Sequence, residues 1–265
     1  MRPPAFIALA TVLPCASFWL IPEGSPIGPA LDGLVLLSAM VLTLSALKQR
    51  LPAQNLLAAS VLIAVITGIG ASVSPGSGVP FGKIEYAATL KLFNVLPWPV
   101  PLVWVAVILT AREVARLCLQ SWRRSRSYGL WLAGLAAGLA VVFDLGLEPF
   151  ALRVRSYWAW PKMIPPLNTA PWINFLGWFV LAFGILLCLA PWFVRKRPMP
   201  EPKNFRPLWV WISANLYLAA GNAREQLWIP VLASLLLNAT ITVRATREPR
   251  LRPRPLPEND GVAKV

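Results

Sequence analysis

The stretch DLGLEPFALRVRSYWAW, residues 144–160, closes an apolar run and sets Asp144 and Glu148 four residues apart, with Pro149 stopping the helix. On a helix, that spacing puts two side chains on one face. Two carboxylates at one place can divide acid–base work. Desolvation keeps one neutral as a proton donor, and the other orients or deprotonates water. Ionisable groups at membrane depth are costly and mark either function or a buried pair. A third acid, Glu85, stands beside Tyr86 ahead of another apolar run, and Tyr157, Trp158, Trp160, Asn174 and Trp178 follow the pair. The competing reading has Arg153 or Arg155 pairing with the acids while the tryptophans form an interfacial belt. Asp32 and Glu225 fall on the same side in poorer contexts. Arg112 and Glu113 read as a local pair near the opposite interface, with the arginine snorkelling.

Composition narrows the chemistry. Histidine is absent from the 265 residues, which removes histidine general bases, haem ligands and the histidine clusters that hold iron in membrane oxygenases. Cys15, Cys118 and Cys188 lie far apart in apolar segments. They offer neither metal-ligand spacing nor a disulfide framework, and read as small buried hydrophobes. No metal and no cofactor is expected.

The elements that must position these groups are membrane helices. Hydrophobic residues make up 57% of the chain and charged residues 14%, where a soluble domain carries about a quarter charged; the mean hydropathy is +0.59. Apolar segments run at 5–21, 29–47, 56–73, 98–118, 128–147, 173–194, 208–222 and 227–243. A span needs about 20 residues, with a range of ~17–25. The prediction is an all-α polytopic bundle of about eight transmembrane helices. It becomes seven if the short last two, joined by a tight turn at Ala223–Gln226, form a re-entrant pair. Arg2 before an apolar run is a signal-peptide feature, but Pro14 breaks the run and no small-residue cleavage site follows. Gly134 and Gly138 form a GxxxG, read as close helix packing. Residues 1–245 are expected to form one membrane domain, and the Pro- and Arg-rich residues 246–265 a disordered cytoplasmic tail.

Charge gives the sidedness. With eight spans, the whole formal net charge of +14 falls on the side that holds both termini, and the side holding Glu85, Asp144 and Glu148 is neutral. Basic loops face the cytoplasm, so both termini are expected there, in a prokaryotic cytoplasmic membrane. The basic excess reads as topology plus attraction to anionic lipid, not as nucleic-acid binding.

GVPFGKIEY (78–86), PWPVPLVW (97–104), DLGLEPFA (144–151), YWAW (157–160) and NFLGW (174–178) stand in an order and spacing that resembles the membrane-embedded carotenoid biosynthesis family. That family includes carotenoid 1,2-hydratases such as the γ-carotene and bisanhydrobacterioruberin hydratases. The resemblance covers roughly residues 60–195. The chain departs from the family pattern at Glu148, where an aspartate is usual, in the Pro-rich KMIPPLNTAPW before Asn174, and in FGKIEY.

The resemblance implies addition of water across the terminal double bond of a linear carotenoid end group, giving a tertiary alcohol. Asp144 would be the deeper acid and Glu148 or Glu85 its partner. Trp158, Trp160 and Trp178 would wall the cation, since aromatic faces stabilise cations by about 0.5–2 kcal/mol each; Tyr86 and Tyr157 complete the substrate-binding set, and Asn174 would hold the water or a carboxylate. The implied partners are a lipophilic carotenoid, membrane lipid and other carotenoid enzymes. An end-group cyclase, which starts from the same protonation but excludes water, and a non-catalytic carotenoid-binding or scaffold protein are the alternatives. All four polar groups, Glu85, Asp144, Glu148 and Asn174, are expected to converge at the polar end of an aromatic-lined pocket. For the topology, reporter fusions after Gln120 and after Pro161 are expected to signal from opposite sides of the membrane. Same-side signals would remove the eight-span arrangement and its shared acidic face.

Overall fold

Each of the eight apolar segments folds as a helix. The structure, a computed structural model, describes residues 3–22, 25–87, 91–123, 125–161, 170–193 and 204–247. The helices are α1 (Pro3–Leu20), α2 (Ile27–Lys48), α3 (Ala53–Ser77), α4 (Pro99–Cys118), α5 (Tyr128–Pro149), α6 (Trp172–Phe193), α7 (Arg206–Arg224) and α8 (Trp228–Thr246). Hydrocarbon offers the backbone no partner, so an apolar segment there must satisfy its own N–H and C=O groups. Five helices, α2, α3, α5 with its continuation to Val154, α6 and α8, are long and apolar enough to cross a membrane. The protein is an all-α integral membrane bundle. The last two segments are full 19-residue helices joined by a short turn. The tail after 247 and most of the α6–α7 connection lie outside the described residues.

α4 is the post of the bundle. It packs against α2, α3, α5, α7 and α8, and Trp104 through Ala115 is an unbroken buried stretch. That explains why a helix carrying Arg112, Glu113 and Arg116 sits among apolar ones: its polar groups face protein, not lipid. Glu113 accepts from Arg50 and Arg112 at 2.5 Å each and from Arg116 at 3.3 Å. The arginine read as snorkelling is therefore buried, at 7% exposure.

Successive helices alternate in direction, which gives the bundle two unlike ends. Among the described residues, the end with Lys48, Arg50, Arg112, Arg116, Arg123, Arg126, Arg206, Arg244 and Arg247 holds Glu113 as its single carboxylate. The other end carries Asp32, Glu85, Asp144, Glu148 and Glu225 against as many bases. Exposed tryptophans ring both ends: Trp19, Trp98, Trp172 and Trp228 at the acidic end, Trp122, Trp131, Trp192 and Trp209 at the basic one. Tryptophan prefers membrane–water interfaces for its amphipathic ring. Trp104, Trp160, Trp178 and Trp211 are instead buried. The belt and a set of buried tryptophans are therefore both present, as different residues.

Four sequence expectations change. Pro14 does not end α1, which continues to Leu20. Pro149 does not stop the helical path either: residues 150–154 form a π-helical turn, closed by Arg155 N–H on Phe150 O at 3.1 Å. A proline lacks the N–H and crowds the carbonyl four residues back, and the wider i→i−5 turn accommodates the path beyond it. The cysteines are not buried; Cys188 is exposed and the other two are half-buried. Only half of the Gly134–Gly138 pair faces a neighbouring helix: a Cβ on Gly134 would meet Phe183 of α6 at 4.0 Å, and one on Gly138 would meet nothing within 4 Å. Gly138 instead lines an apolar groove of about 660 Å³ on the flank of α5 and α6, with Val141, Trp172, Phe175 and Phe179.

At the acidic end, the α3–α4 and α5–α6 connections are tied together. Strand β1 (Glu85–Tyr86) pairs antiparallel with β4 (Trp158–Ala159), and β2 (Lys91–Leu92) with β3 (Leu96–Pro97). The chain before β1 lies directly on α6, where Gly177 packs against the carbonyl of Pro80 and the ring of Phe81; a Cβ there would overlap that carbonyl. Gly177→Val is therefore expected to cost about 1–3 kcal/mol, as overpacking does. Thermal melting in detergent measures it, and an unchanged midpoint would show that the 78–84 segment is not seated on α6.

Candidate functional site

Asp144 and Glu148 are one turn apart on α5 and wholly buried, at 0% and 2% exposure. Their neighbour is Asn174, two residues into α6 and itself 2% exposed. Its amide Nδ2 donates to Asp144 Oδ2 at 2.7 Å and to Glu148 Oε1 at 3.1 Å. One amide thus spans both acids. The other Glu148 oxygen, Oε2, accepts the indole N–H of Trp160 at 2.8 Å and of Trp158 at 3.2 Å. Asp144 Oδ1 is buried with no hydrogen-bond partner. The two acids are therefore unequal: three N–H groups converge on Glu148 and one on Asp144. No lysine or arginine among the described residues forms a salt bridge with either.

The local sequence explains the arrangement. The π turn after Pro149 swings residues 155–160 back over the end of α5, so that Trp158 and Trp160 reach a carboxylate ten and twelve residues earlier. Pairing with β1 holds that strand, with Tyr86 opposite Trp158 and the two rings edge-on at 6.4 Å. The Tyr86 hydroxyl donates to Ala71 O at 3.4 Å. Burial pushes its phenol up from the ordinary range, with the charge of Glu148 adding to the effect, so it stays protonated. Trp178 stacks on Trp104 at 3.7 Å, with Phe81 tilted against Trp104.

Of the residues expected to converge, the structure brings together Asp144, Glu148, Asn174, Trp158 and Trp160, with Tyr86 beside them. Glu85 alternates to the opposite face of its strand and is exposed, as neighbouring residues in a strand must. Tyr157 likewise turns away and donates to Asp32 Oδ2 at 2.5 Å. Arg153 is exposed and Arg155 pairs with Asp32, so neither neutralises the acidic pair. The acids are closed over by side chains, and the apolar groove beside α5 and α6 is lined by neither of them. Asp32, set aside as a poor context, is the residue that sequence reasoning missed.

Residues 32–241 match the family described as Carotenoid biosynthesis protein. The chain belongs to that family. The match reaches well beyond the motif region on both sides and takes in most of α2, all of α7 and most of α8, so the bundle from Asp32 to Ile241 is family architecture. No curated protein and no solved structure matches the chain.

The Asn174 bridge carries a stability prediction. Asn174→Leu keeps the volume and leaves two buried carboxyl groups short of a donor, at an expected cost of about 1–3 kcal/mol. Combining it with Asp144→Leu is expected to recover part of that loss, because contacting residues couple by about 0.5–3 kcal/mol. Thermal melts of the two single variants and the double variant measure the coupling. Strict additivity would mean that the amide and the aspartate do not interact.

Proposed function

We propose that the protein adds water across the terminal double bond of a linear carotenoid end group. The observation that carries this reading is the buried, cation-free carboxylate pair with its unequal hydrogen bonds. Hydrogen bonding to the ionised form favours that form, and Glu148 takes three of the four N–H groups. The charge is therefore assigned to Glu148, and the proton to Asp144, whose unpartnered Oδ1 would carry it. Asp144 donates that proton to the alkene, a C–H bond forms as the π bond is spent, and a tertiary cation is left at the neighbouring carbon. Water attacks the cation, and Glu148 accepts the proton it releases. The cycle closes when the proton returns from Glu148 to Asp144. Buried aromatic rings lie around the pair, and π faces attract cations. Family membership supports the carotenoid as substrate, and the apolar bundle supports a lipophilic one.

One observation favours a second reading. The acids are sealed from solvent, which suits a cyclase that protonates the same alkene and keeps water from the cation. Expression in cells making lycopene or γ-carotene, followed by mass analysis of the pigments, separates the outcomes. A gain of one water supports hydration. An isomer of unchanged mass supports cyclisation. Unchanged pigment that copurifies with the protein supports binding alone.

Asp144→Asn and Glu148→Gln keep size and remove acid function. Each is expected to lower hydrated product per folded molecule by 10² or more, since general acid–base catalysis is typically worth ~10²–10⁴. A folded double variant that hydrates carotenoid at the wild-type rate would end this mechanism.

A further inference from the structure

Asp32 lies in α2, far along the chain from the acidic pair, yet it is the most heavily hydrogen-bonded carboxylate at that end of the bundle. Arg155 grips it as a fork, with Nε on Oδ2 at 2.8 Å and Nη2 on Oδ1 at 3.0 Å. The hydroxyl of Tyr157 donates to Oδ2 at 2.5 Å, and that of Tyr217 on α7 donates to Oδ1. The guanidinium lies over the rings of Phe18 and Phe150, at 5.1 and 5.7 Å. It also passes over Gly28, where a Cβ would stand 2.5 Å from Nη1. Bidentate pairs of arginine with carboxylate fix orientation as well as adding energy. Here the pair, with its aromatic walls, locks residues 155 and 157 to α2 and α7.

Those residues lead directly into β4, where Trp158 and, just past its end, Trp160 donate to Glu148. Side chains alternate along a strand, so Tyr157 pointing to Asp32 turns Trp158 the other way, toward the acids. Ser156, between the two anchors, has φ of +50°, a left-handed conformation that costs energy for a non-glycine residue and persists only where the surroundings enforce it. The backbone on the far side is held too, by Ala87 N–H on Tyr157 O at 2.9 Å.

We infer that Asp32 is a positioning residue. Through Arg155 and Tyr157 it fixes the path of the 155–160 segment and thereby aims two indole N–H groups at Glu148. Its consequence for turnover rests on the function proposed above; its geometric part does not.

The test uses the full chain in detergent or nanodiscs, with 15N-labelled tryptophan. The indole resonances of Trp158 and Trp160 are assigned from Trp158→Phe and Trp160→Phe. In Asp32→Asn, both resonances are expected to move toward the values they take in Glu148→Leu, while those of Trp104 and Trp178 stay in place. Hydrated product per folded molecule is expected to fall at least tenfold. Should Asp32→Asn fail to fold, Tyr157→Phe removes one anchor only, and a smaller shift of the same two resonances with a smaller loss of product is expected. Unmoved indole resonances in a folded variant would overturn the inference, as would moved resonances with full turnover. A wild-type protein that hydrates no carotenoid would sink the proposed function alone, and the resonances would still decide the role of Asp32.

Discussion

Two carboxyl groups are buried side by side with no cation paired to them among the described residues, and much of the acidic end of the molecule follows from that. Taking even one charge out of water costs several kcal/mol after relaxation, and a buried polar group without a partner is costly as well. The usual remedy is an arginine or a lysine. Here the partners are neutral N–H groups, and neutral donors must be brought in from separate elements. Asn174 comes from the start of α6, and the two indoles come from a strand that has to be turned back over the end of α5. The π turn, the β1 pairing and the Asp32 anchor all serve that return path.

The bundle holds carboxylates in three settings. Glu113 sits among three arginines at the basic end. Asp32 sits in an arginine fork between two phenols. Both are built into ion pairs that join separate stretches of the chain, Glu113 to Arg50 and Asp32 to Arg155. Among the described residues, Asp144 and Glu148 are the buried acids with no cation paired to them. Of the two arginines that follow them, Arg153 is exposed and Arg155 is drawn off to Asp32, and that pairing also shapes the segment beside the acids. One ion pair thus keeps a cation out of the site and supports its walls.

The eight helices were legible because each is an apolar run of nearly the length a bilayer requires, and the two unlike ends were legible because charge had been sorted between them. Asp144, Glu148 and Asn174 stood out through an i, i+4 spacing and through motifs in family order. The parts that were not legible depend on distant partners or on backbone detail. Asp32 meets Arg155 and Tyr217 across 123 and 185 residues, and no periodicity announces such a meeting. Glu85 and Tyr157 were grouped with the acids because they are near in sequence, but strand alternation turns each away. Pro149 was read as a stop because a proline usually is one; the π turn that carries the path past it has no signature in composition. Arg112 was placed at the interface by its charge, but it pairs with the buried Glu113 and is itself buried.

The amide that joins the two acids has a further consequence. An asparagine side chain offers the same two hydrogens whichever acid is charged, and it does not titrate. It holds the two carboxyl groups at fixed separation while insulating the oxygens that face each other. In a reaction that draws a proton from one acid and deposits it on the other, Asn174 cannot carry the return current. The reset has to run through the free edge of Asp144, by way of water or the departing product. In the reaction proposed, recovery would then depend on whatever reaches Oδ1.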